Sequence, residues 1–164
     1  MADIESSTQQ EVENNLLDRI LAAESVVVAL RCDDPAAVPD ALRRIAQRTG
    51  KAMYVWSRRS GLWRLGGRDE VVRGVVRPAD VLRFVERRPQ FGVYFLAESP
   101  QAWGPELVAL LRRIAEIDPR QSKRLVLPGT LADLPPSLPA RELAWGCFEV
   151  PPLRLRQGAW AWAQ

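Results

Sequence analysis

A chain of 164 residues that is 47% hydrophobic and 26% charged suits one domain with a real core, and excludes a collagen, a disulfide scaffold or a wholly disordered chain. With no histidine and only Cys32 and Cys147, it has no Ser-His or Cys-His nucleophile pair, histidine metal site or cysteine-rich metal site. The formal charge of +3 hides an asymmetry, because residues 1–24 sum to −5 and residues 43–88 to +9. That basic block is suited to an acidic partner, to nucleic acid or to the chain's own acidic N-terminus. The best apolar run, Val26–Leu30, is strand-sized, well short of the roughly 18–20 residues of a membrane helix. The acidic start, Met1-Ala-Asp-Ile-Glu5, lacks the pattern of a secretion signal. The expectation is a cytoplasmic, non-catalytic protein without membrane insertion.

Residues 1–10 read as a polar lead-in, with Thr8 and Glu11 at capping-box spacing. Val12, Leu16, Leu17, Ile20 and Leu21 then recur at helical spacing, which predicts a helix to about Glu24. Ser25–Arg31 is a continuous β-branched run of the kind buried in a parallel sheet. Asp34-Pro35 reads as an N-cap with a first-turn proline, Pro39 pointing to a start one turn later; Gly50 closes that helix. Ala52–Trp56 is a second strand, and Leu62–Leu65 with Val71-Val72 suggests a short hairpin. Pro78 opens a third helix and Phe91–Ala97 is a third buried strand. Gly104-Pro105 starts a fourth helix, ended by Asp118-Pro119. Lys123–Leu127 and Leu143–Val150 complete the set. Strands alternating with helices predict a single three-layer α/β domain over residues 11–153, with an open, mainly parallel sheet of about five strands, and a tail over 154–164.

Such a sheet invites a nucleotide, but the phosphate loop needs Gly-x-x-x-x-Gly-Lys followed by Ser or Thr. Gly50-Lys51 is the sole Gly-Lys pair, with Ile45 where the first glycine belongs and Ala52 in place of the hydroxyl. After the first strand stands Arg31-Cys-Asp-Asp-Pro35, whose carboxylates repel a triphosphate. No cofactor and no resident metal are therefore expected. Asp33, Asp34 and Glu98 fall after strand ends, where open α/β sheets place ligands. They read either as helix caps and solvated loop charges or as a residual nucleotide or metal site. Trp56, Arg58, Arg59, Trp63 and Arg64 interleave aromatics with guanidinium groups, the composition of a stacking-plus-phosphate nucleic-acid site. The competing reading buries Trp56 in a strand and leaves the arginines solvated. In the tail, Leu153 and Leu155 alternate with Arg154 and Arg156, ahead of Trp160 and Trp162. That pattern suits a strand docking on a protein.

Leu17–Leu30, then Tyr54-Val-Trp-Ser57 and Gly61-Leu62, resemble the opening of a bacterial and plastid family of AAA-type ATPases, the conserved chloroplast reading-frame ATPases. Lys123-Arg-Leu-Val-Leu-Pro-Gly129, Leu134-Pro-Pro-Ser-Leu138 and Phe148-Glu-Val-Pro-Pro-Leu153 extend the likeness over roughly residues 12–153. The resemblance implies an N-terminal α/β domain built like a P-loop fold without a working P-loop, ahead of the AAA module. It implies no activity for this chain, which closes within eleven residues of Leu153. The expected role is an adaptor or subunit of a larger bacterial assembly, its partner a protein such as a separately encoded AAA ATPase; a nucleic-acid module is the alternative.

Overall fold

A computed structural model of the chain describes residues 2–146. In chain order the elements are α1 (Ala2–Ala22), β1 (Val27–Arg31), α2 (Ala37–Thr49), β2 (Met53–Ser57), β3 (Gly61–Leu65) and β4 (Glu70–Val71). They are followed by α3 (Pro78–Arg87), β5 (Gly92–Leu96), α4 (Pro105–Ala115), β6 (Lys123–Pro128) and β7 (Arg141–Ala144). The strands form one sheet in the order β4-β3-β2-β5-β6-β1-β7. Neighbours from β2 to β7 pair in parallel, while β3 and β4 join as an antiparallel hairpin on the β2 side.

The mainly parallel sheet agrees with the alternation of strands and helices, and the hairpin raises the strand count from five to seven. Each central strand is apolar on both faces because each face is covered. Val28, Leu30, Val93, Phe95 and Val126 pack against Leu16 and Ile20 of α1 and Leu42 and Ile45 of α2. Val27, Ala29, Tyr94, Leu96 and Leu125 pack against Leu82 and Val85 of α3 and Leu111 and Ile114 of α4. Each such fully buried aliphatic side chain contributes about 1.5–3 kcal/mol relative to exposure.

Three boundaries depart from the sequence reading. α1 begins at Ala2, so the polar stretch before Thr8 is helical; it contains no glycine or proline to stop the helix. α2 begins at Ala37, which places Pro39 inside the first turn, where its missing N–H costs no helical bond. Gly50 ends α2 as expected, at φ 71° with its N–H on the Ala46 carbonyl. β7 runs over Arg141–Ala144, earlier than Leu143–Val150, in register with Val28–Arg31. The Phe148–Val150 part of that expected strand lies outside the described residues. No helix among the described residues is long and apolar enough to cross a membrane.

Candidate functional site

The carboxyl ends of the parallel strands are where a P-loop fold holds its ligand. Here that crest is tied shut by the chain's own groups. The turn between β1 and α2 is built on a carboxylate, Asp34 Oδ1 accepting from the Ala36 N–H at 3.2 Å. The loop leaving β6 folds against β1, with the Gly129 N–H on the Leu30 carbonyl at 2.9 Å. Asp133 accepts from the Thr130 N–H at 2.8 Å, and the Trp103 indole donates to the Asp133 carbonyl at 3.0 Å. Glu142 accepts from the Leu131 N–H at 3.0 Å and faces Arg31 at 3.7 Å.

Asp33, Asp34 and Glu98 do not come together there. β6 separates β1 from β5, and Glu98 is engaged by Arg58, whose backbone N–H and guanidinium reach it at 3.1 and 3.4 Å. Among the described residues no group of three or more acids or cysteines is placed to hold a metal ion. The three carboxylates considered as one residual nucleotide or metal site are thus held at separate places on the crest.

The aromatic and basic segment is divided as well. Trp56 is fully buried among the α3 and α4 contacts, its indole N–H on the Val76 carbonyl at 2.7 Å. Trp63 pairs with Val55 and so faces the other side of the sheet. It is half-buried beside Pro39, Val55 and Leu65, its indole N–H on the Ser60 carbonyl at 2.9 Å. Arg59 and Arg64 are exposed at different ends of the hairpin. The pleat sends alternate side chains to opposite faces, so the two tryptophans make no common stacking platform.

A different surface stands out at the α1–β7 edge. β7 ends the sheet, with no further strand beside it among the described residues. Arg19 of α1 donates to the Ala144 carbonyl at 2.6 Å, and the Trp145 N–H continues the ladder onto the Arg31 carbonyl at 3.0 Å. Between α1 and this edge lies a hollow of about 560 Å³ lined by Val12, Asn15, Arg19, Arg31, Ala144 and Trp145. Val12, on the apolar stripe expected to be core, is 44% exposed here. The Trp145 indole N–H is buried and has no hydrogen-bond acceptor among the described residues. A buried donor left unpaired costs about 1–3 kcal/mol. The sequence reading did not single out Trp145; its one signal was a tryptophan inside the expected Leu143–Val150 strand. Leu153, Leu155, Trp160 and Trp162 lie outside the described residues, and the chain that carries them leaves from Gly146, in the wall of this hollow.

The chain matches the family described as SpoVK-like AAA ATPase, N-terminal domain, over residues 12–143. No curated protein matches it. The matched stretch runs from α1 to β7, through the tied crest and up to the open edge, and it covers most of the sequence. The chain belongs to the family of SpoVK-like AAA ATPase N-terminal domains.

Proposed function

We propose that this domain is a non-catalytic protein-interaction module whose working face is the α1–β7 edge, and whose partner is a protein such as an AAA motor or another assembly subunit. The observation that carries the reading is β7 as an open edge strand among the described residues, beside the hollow lined by Val12, Arg19 and Trp145. A partner strand laid along β7 supplies main-chain carbonyls, the usual currency of strand addition. The crest supports the non-catalytic half of the reading, because a carboxylate turn at Asp34 stands where a glycine loop would cradle phosphates.

Trp145→Phe separates this role from a structural one. It keeps most of the ring and removes the unpaired donor. The isolated domain is expected to unfold at the same temperature or higher, while capture of partner from its native host falls. A lower melting temperature with capture unchanged would assign Trp145 to the domain's own core. Calorimetric titration with Mg-ATP is expected to show no binding, and a stoichiometric micromolar isotherm would overturn the non-catalytic reading.

A further inference from the structure

Part of the basic block is neutralised inside the fold. Arg43 pairs with Asp40 and Asp69, and Arg44 and Arg48 with Glu13 of the acidic α1. Arg58 pairs with Glu98, and Arg77 and Arg83 with Asp80. Among the described residues, Lys51, Arg64 and Arg68 have no carboxylate at ion-pair distance. They line a hollow of about 410 Å³ between the end of α2 and the turn joining β3 to β4. Three cations against the single carboxylate of Glu70 leave the hollow net positive, and an anion entering it offsets the excess.

The walls are held in advance. The Gln47 side-chain amide donates to the Gly66 carbonyl at 3.2 Å, and the Gly66 N–H is on Asp69 at 3.3 Å. The Arg43 guanidinium holds Asp69 at 2.8 Å, so α2 braces the turn from two points. Gly67 has open space around it, so the backbone there is accessible. Preorganised walls lower the ordering cost of binding.

The chemistry favours carboxylates on a peptide over a nucleic-acid backbone. Leu65 contributes an apolar patch to the wall, and Val71 is 49% exposed on the neighbouring edge strand. The Lys51 ammonium lies over the Phe91 ring, 5.0 Å from its centroid, and no aromatic side chain among the described residues lines the hollow for a base to stack on. Glu70 in the same wall offers an acceptor that a peptide N–H can meet and a phosphodiester backbone, which has no donor, cannot.

We propose that this hollow is a second docking site, independent of the α1–β7 edge, and that it takes an acidic segment of a protein partner through Lys51, Arg64 and Arg68. The probe is a fluorescein-labelled octaglutamate peptide read by fluorescence anisotropy against the full chain. Affinity is expected to fall about tenfold or more in Arg64→Gln/Arg68→Gln and to fall with added salt. Arg64→Lys/Arg68→Lys keeps most of it, and Arg59→Gln, a single neutralised charge elsewhere on the hairpin, changes it less than about twofold. Equal thermal melting of the variants certifies their folds. Three results would each overturn the proposal: equal peptide binding by wild type and Arg64→Gln/Arg68→Gln, no peptide binding at about 50 mM salt, or an oligothymidylate bound as tightly as the peptide. Salt-sensitive self-association that disappears in Arg64→Gln/Arg68→Gln would overturn it too, by seating the acidic α1 of a second copy there.

Discussion

The carboxylate of Glu13 on α1 is buried against Arg48 of α2, Oε2 lying 2.8 Å from the guanidinium. Arg44 holds the other oxygen, and Arg48 also reaches Asn14 at 2.9 Å. Glu13 is therefore the peg that locks the first helix onto the second. Glu13→Gln leaves two guanidinium groups over a neutral amide. Breaking a fully buried pair costs about 3–5 kcal/mol, and the partial exposure of both arginines brings the expected loss nearer 2 kcal/mol. Urea denaturation of wild type and variant measures it, and an unchanged midpoint would show that the pairing stabilises nothing.

Arg124 gives a second prediction. It is 2% exposed on β6 and meets no carboxylate; instead its five N–H donors meet backbone carbonyls. Three of those carbonyls, on Ile20, Leu21 and Ala23, end α1, where the helix leaves acceptors without partners and its dipole favours a cation. Arg124→Met leaves them buried and unmatched, at a cost of about 3 kcal/mol or more. Arg124→Lys recovers little, because an ammonium has three donors on one atom and cannot span the same carbonyls. Hydrogen exchange is expected to quicken first in the last turn of α1.

A third prediction concerns alkaline pH. The Tyr94 and Tyr54 rings stack at 4.7 Å, with the Phe84 ring edge-on to both. The Tyr94 ring also lies over Gly92, where an added Cβ would sit 2.8 Å from Cε2. Burial pushes the Tyr94 phenol up to about 12, from an ordinary value of 10.0. The folded state holds that proton more tightly than the unfolded chain, so the contribution is complete below pH 10 and lost as pH rises through 12. Its size is on the order of 2 kcal/mol. Tyr94→Phe is expected to flatten stability across that window, and phenolate absorbance checks the titration directly.

The parts of this fold that were legible in the sequence are those where one residue's environment is uniform along its element. Val27–Leu30 is buried on both faces, so the run needs no partner to be recognised, and Gly50 marks a helix end by backbone geometry alone. Faces are harder. Trp56 and Trp63 sit close in sequence among arginines, yet whether they share a surface depends on strand pairing, and register puts them on opposite sides. Glu13 stands among Val12, Asn14 and Asn15, where its neighbours are exposed and nothing local distinguishes a buried acid. Its role exists because Arg44 and Arg48, a helix away, meet it. The Trp145 edge was hidden for the same reason, since an open strand is a property of the order β6-β1-β7 and not of Arg141–Ala144 itself.

The two borders of the sheet are chemically unlike. On one side β4 has two residues and is flanked by charged side chains, features that discourage further pairing. On the other, β7 offers the only border of ordinary length among the described residues. In the language of polymers the described sheet is monofunctional: β7 presents one border with room for a strand, and β4 presents no matching end with which to extend the chain. Strand-by-strand growth that began at β7 would terminate at β4, so the described sheet is not suited to extend as a fibre.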